Sequence, residues 1–340
     1  MDNNFILSLF QHGYKSRWTT AYFVLTGKKT SSALIYMNFY QIKKYFNIAP
    51  KYSKAQFEHQ INELVEAHYL VRDQQYVTIT PAGLQQLQQL PALNDLDNFR
   101  YTTVNQQLRD LLLLVTQVLS EKAYQNTQYA PVINQLQTQL YVKRKIAQIS
   151  VPQETFITTY AEELWQFSQS LSQLEQLIFL APLQGHADYG QTLMQIQQES
   201  QLSAFMVQLI YINCLHKLIT AMQKGDYPTL SYFYYVSPQL PSHLQLCLDY
   251  LRHNLSITEV AQKLRRKEGT VIDYMLELSM LGYLDLRAYI QPDHWALFES
   301  YAAIQPNVIN WSYQDAFLQD HTFTFAEFRF YQLVKGVSDA

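Results

Sequence analysis

Apolar side chains recur at helical spacing most clearly between Pro241 and Ile290. Ser256 is followed three residues later by Glu259, the capping-box spacing that satisfies two free N-terminal amides and starts a helix. Thr270 with Asp273 repeats that spacing and predicts a second helix start. Val260, Ala261 and Leu264 share one face of the first helix, and a polar break follows from Arg265 to Gly269. On the second helix Val271, Tyr274 or Met275, Leu278 and Leu281 predict packing on the first helix and on an earlier one, Leu244 to Arg252. Small Ala261 suits a close helix crossing, Gly282 suits a helix end, and Tyr283 to Ile290 reads as an extended run. This is the pattern of a helix-turn-helix, with an ordinary helical hairpin as the alternative.

Near the N-terminus Ser53 with Gln56 forms another capping box, opening a helix through Phe57, Ile61, Leu64 and Val65. Tyr69 to Val71 and Tyr76 to Thr80 read as short strands about the polar turn Asp73, Gln74 and Gln75, Pro81 begins a further helix, and Gln41 to Asn47 supplies a short one upstream. That order suggests a winged helix. Lys54, Gln56, His59, Gln60 and Glu63 project outward from its middle helix. Lys and Gln can meet phosphates and base edges, while Glu58 and Glu63 leave protein docking open.

Residues 91 to 100 read as a short polar linker. Val104 to Leu119, Ala130 to Ala147, Gln153 to Leu180 and Leu193 to Ala221 then give long amphipathic helices with Gln, Glu and Ser outside, the pattern of a helical bundle. Thr192 to Ile219 has helix-turn-helix spacing too, but no basic residue precedes Lys217, so a structural helix pair is favoured. The aromatic cluster Tyr232 to Tyr235 could stack bases, yet without neighbouring Lys or Arg it reads as a linker packed on the bundle. Asp293 to Ala303, Ser312 to Gln319 and Thr324 to Val334 predict three more helices, in a tail where acids outnumber bases. The expected fold is mainly α: a winged-helix-like domain over 1–95, a helical bundle over 101–225 and a C-terminal helix-turn-helix domain over 240–335.

The run LQLCLDYLRHNLSITEVAQKLRRKEGTVIDYMLELSMLGYLDL, continuing to FAEFRFYQLVK, resembles the helicase-associated helix-turn-helix domain at the C-terminus of some RecQ-type DNA helicases, over about Leu240 to Lys335. In many Gram-positive bacteria that domain ends a stand-alone protein encoded beside a RecQ helicase, the YpbB-like family. The stretch RWTTAYFVLTGKKTSS is similar to that family's opening. The resemblance implies a function near DNA-repair helicases and supplies no catalytic residues.

Composition narrows this further. A net charge of -3 over 340 residues, with pI near 6.3, excludes a polybasic nucleic-acid coat, so any DNA contact must come from local patches. Cys214 and Cys247 lie in apolar helical patterns and read as buried free thiols. The N-terminus has no signal-peptide pattern. The most apolar window, Ala204 to Met222, carries Gln208, Asn213, His216 and Lys217, which suit a buried core helix better than a membrane span. A cytoplasmic protein is expected, with no membrane partner.

Residues 1 to 54 hold Lys15, Arg17, Lys28, Lys29, Lys43, Lys44, Lys51 and Lys54 against one acid, Asp2. Lys28 and Lys29 follow Gly27, but a phosphate loop needs Gly where Tyr22 stands. A solvated basic loop and a phosphate-contacting patch both remain open. No ATPase or zinc motif is present, and His186 with Asp188 sits in a loop pattern without a second ligand pair. The expectation is a non-enzyme with no cofactor, no metal and no small-molecule substrate.

The helix from Thr270 offers Ile272, Asp273, Leu276 and Glu277, an apolar and acidic face ill-suited to base edges. Arg265, Arg266 and Lys267 in the turn could hold phosphates near a helix N-terminus. The leading expectation is an accessory protein that assists a RecQ-type helicase. It binds duplex or forked DNA by backbone contacts at Lys28, Lys29, Lys43, Lys44, Lys54, Arg265, Arg266, Lys267 and Thr270. One alternative is a protein-interaction adaptor docking through exposed Ile272 and Leu276. The other is a transcription regulator, for which no heptads supply a dimer.

Overall fold

The computed structural model describes residues 1–87, 90–234, 240–314 and 322–338. The chain is mainly helical and divides into two compact units, one of Met1–Asp2 with Gln89–Pro238, the other of Asn3–Gln88 with Gln239–Ala340. The expected separation of 1–95 from 240–335 is thereby corrected: the two ends of the chain build one unit, because their helices bury apolar faces on each other.

The first half of that unit runs α1 (Asn3–Ser8), β1 (Ser16–Arg17), α2 (Trp18–Leu25) and α3 (Ser31–Phe39). A 3₁₀ turn at Lys43–Tyr45 stands where the short helix was expected. Next comes α4 (Lys54–Glu66), begun by the Ser53–Gln56 capping box. Then β2 (Leu70–Asp73) and β3 (Tyr76–Ile79) pair antiparallel, Leu70 opposite Ile79, and β1 adds on the other edge to give the order β1-β3-β2. In α5 (Pro81–Leu87) a Cβ on Gly83 would stand 2.4 Å from the Tyr69 carbonyl oxygen, so glycine lets this helix close against the hairpin.

In the middle unit α6 (Asn98–Tyr101), α7 (Asn105–Ala123), α8 (Leu136–Ala147) and α9 (Gln153–Gln169) are followed by α10 (Gln173–Leu180). The single helix expected over 153–180 is broken because Ser172 and Glu175 form a capping box and restart it. Then come α11 (Leu193–Ser200), α12 (Ala204–Lys224) and α13 (Pro228–Ser231). Two-thirds of the most apolar window of α12 (67%) is buried inside the unit, as a core helix requires. Phe233 and Tyr234 are buried, and Tyr232 donates to the Lys145 carbonyl, so the aromatic cluster belongs to the bundle; Tyr235 lies outside the described residues.

The segment expected as a polar linker is packed. Leu93, Leu96 and Phe99 are buried, the Asp95 N–H donates to Asn213 Oδ1 (3.1 Å), and the Asp97 N–H donates to His216 Nδ1 (2.9 Å). His216 is therefore a neutral imidazole whose Nε2 donates to Asn105 Oδ1 at 2.8 Å. Burial holds its pKa down to about 3.

The C-terminal half of the first unit contains α14 (Ser242–Arg252), α15 (Ile257–Leu264), α16 (Glu268–Met280), α17 (Pro292–Ile304) and α18 (Phe325–Ser338). The Ser256–Glu259 box starts α15. The second expected box does not form: α16 begins at Glu268, so Thr270 lies inside the first turn and Asp273 is engaged elsewhere. Gly282 ends this region at φ +84°, but Leu286–Tyr289 is a 3₁₀ turn and not the expected extended run. Buried Glu327 accepts from Thr324, His294 and the Gln291 N–H, fastening α17 to α18. The helix expected over Ser312 to Gln319, with Asp315 and Asp320, falls mainly outside the described residues.

Helix α3 is the pivot of this unit. Ala33, Leu34, Ile35, Tyr36 and Met37 are buried in succession, because α2, α16 and α18 pack around it.

The neutral His216 sets a pH dependence. Its folded pKa lies below its ordinary 6.5, so its contribution is complete above that value and is lost as pH falls toward about 3. Urea unfolding followed at pH 7 and at acid pH should show wild type losing stability on acidification. His216→Gln should be less stable at pH 7 by about 1–3 kcal/mol, from buried groups left unpaired, and should lose less on acidification.

Candidate nucleic-acid interface

The loop between α2 and α3 turns at Gly27, φ +80°, where a Cβ would collide with Asn47 at 2.4 Å. It presents Lys28, whose ammonium rests 4.0 Å above the Phe23 ring, exposed. Lys43 and Lys44 are half-buried on the 3₁₀ turn, Lys44 lying 5.1 Å from the Tyr45 ring. Lys54 opens α4, exposed, 5.5 Å from the Trp18 ring. Among the described residues none of these four has a carboxylate partner. Lys29 does: its Nζ lies 2.5 Å from Glu277 Oε1, so this cation is committed to the fold.

The face of α4 expected to read DNA is partly covered. Gln60 donates to Asn3 Oδ1 (2.7 Å) and Asn3 donates to Glu63 Oε2 (3.1 Å), which ties this face to α1. Arg72 from β2 holds Glu58 (2.8 Å) and Asn62 (2.5 Å). Lys54, Gln56 and His59 keep their exposure.

Helix α16 corrects the expected docking patch. Ile272 is 7% exposed and Leu276 0%, because this side of α16 lies against α3. The two acids on the same side explain the orientation. Asp273 Oδ1 accepts from the Ser31 N–H (2.7 Å) and from Ser31 Oγ (2.5 Å), capping α3 from another helix where the N-cap residue Thr30 contributes no side-chain bond. Burial pushes the Asp273 carboxyl above the ordinary aspartate value, with the Ser31 bonds working the other way. One turn further on, buried Glu277 meets Lys29. The side of α16 that the sequence offers as outer is thus turned inward.

What remains exposed is its approach. Arg265 adopts the left-handed conformation at φ 53°, then Arg266 and Lys267 follow, all three exposed and without a carboxylate partner among the described residues. Lys267 precedes α16 without capping it through its side chain. Thr270 is half-buried in the first turn. The nearby Glu268 accepts from Thr258 Oγ1 at 2.6 Å. Free amides at a helix N-terminus beside three cations form a locally positive site for an anionic oxygen.

Cys214 and Cys247 are buried free thiols, and burial pushes Cys247 up to about 11. His186 sits in the loop after α10 and bonds Glu121 at 2.7 Å, which holds that carboxyl below its usual range. Among the described residues no three His, Cys, Asp or Glu side chains converge as metal ligands do.

Comparison with protein-family models, curated proteins and solved structures finds no match to this chain.

The inward and outward sides of α15–α16 differ in what truncation does. Leu276→Ala should cost about 2–5 kcal/mol as a fully buried leucine, whereas Arg266→Ala should stay within about 0.5 kcal/mol of wild type. Urea-unfolding midpoints of the two variants check this; equal effects would place both side chains in the same environment.

Proposed function

We propose that this chain is a non-catalytic protein that binds DNA through the phosphate backbone. Its two-ended unit then joins a winged helix, residues 3–87, to a helix-turn-helix module that begins at α14. An α4-hairpin sequence with strand order β1-β3-β2 supports the first name, and the capped α15 followed by a three-residue turn and α16 supports the second. The observation that carries the reading is the exposed Arg265–Lys267 turn at the N-terminus of α16, without a carboxylate partner among the described residues, on a helix whose Asp273 and Glu277 face inward and whose exposed Glu268 is bonded by Thr258.

Backbone contact fits better than base reading. The sides of α16 that could enter a groove are buried on α3, α14 and α15, so sequence-specific pairing through this helix has no donors to use. Lys28, Lys43, Lys44 and Lys54 supply a second set of cations. The helicase partner rests on the resemblance alone: the chain would position DNA for a RecQ-type helicase supplied as a separate protein.

Fluorescence anisotropy with single-stranded, duplex and forked DNA tests the reading. Three phosphate contacts on duplex predict affinity falling roughly 40-fold between about 50 and 200 mM salt. Arg265→Glu/Arg266→Glu/Lys267→Glu should abolish most binding and flatten the salt dependence, and Lys28→Glu/Lys54→Glu should weaken it further. Affinity and salt slope unchanged in both variants would sink the proposal.

A further inference from the structure

Two cavities adjoin in the unit built by the chain's ends, and neither is lined by the cations of the proposed backbone contacts. The first, about 640 Å³, is walled by His12, Tyr14, Phe39, Tyr40 and Asn307. His12 stacks on Tyr40 with ring centroids 3.7 Å apart and an 18° tilt. Its Nδ1 accepts from the Tyr14 N–H at 3.0 Å, so the neutral ring carries its proton on Nε2. Burial keeps that ring neutral at pH 7 by holding its pKa down to about 4. Among the described residues the Nε2–H is a buried donor without a partner, and Asn307 Oδ1 is a buried acceptor without one. An aromatic-walled cavity with one unmatched donor and one unmatched acceptor has the chemistry that holds a planar heterocycle by stacking and by its polar edge.

The second cavity, about 320 Å³, shares Tyr40 with the first and continues along the same loop, from Pro306 and Asn307 to Asn310 and Trp311. Its character is cationic, since Lys15, Arg17 and Arg329 line it together with Ser32 and Tyr76. Arg17 Nε donates to the Tyr76 hydroxyl at 3.1 Å. Lys15 pairs with Asp73 at 2.5 Å, but both side chains are more than half exposed, so solvent weakens that pair. Arg329 is the telling residue. One of its terminal nitrogens donates to Gln332 (2.8 Å), the plane lies against Phe325, and Nε is buried without a partner among the described residues. Asp273, whose charge acts on Arg329, is already bonded by Ser31. A buried guanidinium N–H left open is costly unless an acceptor arrives, and a phosphate oxygen is the acceptor that arginine matches best.

We propose that the adjoining cavities bind one nucleotide, its base against Tyr14, His12 and Asn307 and its phosphate against Arg329, Arg17 and Lys15. The two volumes fall in the range of small-molecule sites, roughly 300–1,000 Å³. The same chemistry describes a free nucleoside monophosphate and one residue of a single strand. The site uses none of the residues of the Arg265–Lys267 turn and stands or falls separately from the backbone reading.

Isothermal titration of the full chain with adenosine monophosphate, thymidine monophosphate, adenosine and inorganic phosphate, together with a short single-stranded oligonucleotide, tests it. A monophosphate should bind more tightly than either adenosine or phosphate alone. Arg17→Ala and Asn307→Ala, both near the surface, should each weaken that binding by about tenfold, the loss of one good hydrogen bond to a charged or buried partner, without lowering the melting temperature. Arg329→Gln should weaken it at least as much, its fold checked by the same melt. Binding of a monophosphate identifies a free nucleotide as ligand; binding of the oligonucleotide alone, weakened by the same variants, identifies a residue of a strand. Binding that ignores both surface variants, or no binding of any probe, overturns the proposal. The triple reversal at Arg265, Arg266 and Lys267 should leave monophosphate binding intact, which separates its failure from failure of the backbone reading.

Discussion

Asp273 and Glu277 stand one turn apart on α16, and both reach the same place, the beginning of α3. There the Ser31 amide and hydroxyl and the Lys29 ammonium meet them, at the positive end of the α3 dipole. Two carboxylates on one helix face would be a burden in an apolar interface if left unpaired. Here each has a donor supplied from more than two hundred residues away in sequence, and beside them Ile272 and Leu276 are buried on a helix that packs on α3. This polar clamp with its apolar filling makes the two ends of the chain one unit. It also leaves the Arg265–Lys267 turn exposed while Ile272 and Leu276 are buried.

The position of α3 has a second consequence. Because α2, α16 and α18 surround it, the residues just beyond its end, Tyr40 and Gln41, are held between the N-terminal segment and the loop that follows α17. Tyr40 is packed by His12, Tyr36 and Phe39 on several sides. Buried itself, Tyr40 is a rigid backing for the His12 ring, and aromatic packing of this density supplies that rigidity without a hydrogen bond to every ring. The cavities thus depend on the same interface as the clamp, since the first loses its Asn307 wall and the second its Arg329 when the C-terminal half is absent.

Much of this fold was legible wherever the deciding interaction is local. Ser53 with Gln56 and Ser256 with Glu259 close their boxes within four residues, and both helices start there. Thr270 with Asp273 has the same spacing and fails, because the carboxylate finds a better pair of donors in Ser31, a partner that no local spacing reveals. Ile272 and Leu276 were misplaced for the same reason: a helix side free of its own neighbours reads as exposed until a distant helix covers it. Helix α3 itself left no periodic signal, because it is buried on successive residues. Residues 91–100 looked polar, yet the amides of Asp95 and Asp97 are taken by Asn213 and His216. At the candidate interface the charges were legible and their neutralisation was not, as the contrast between Lys28 and Lys29 shows. Arg329 and His12 drew no notice, since nothing in the sequence marks which polar atoms lack partners.

A chain with net charge -3 can still present positive ground, and the distribution of its acids explains how. Asp273 caps α3, Glu163 accepts from the amides of Thr229 and Leu230, Glu327 gathers Thr324, His294 and Gln291, and Glu277 holds Lys29. These carboxylates act at short range inside the units, each against donors that neutralise it locally. Between exposed charges, influence fades beyond a Debye length of about 8 Å in physiological salt, so an approaching phosphate responds to the cations nearest it and hardly to the total. Among the described residues Arg265, Arg266 and Lys267 have no carboxylate partner, and Lys28 and Lys54 lie over the Phe23 and Trp18 rings. Acids used as internal caps and cations left at turns are one arrangement seen from its two sides, and it gives an acidic protein a surface that an anionic polymer can approach.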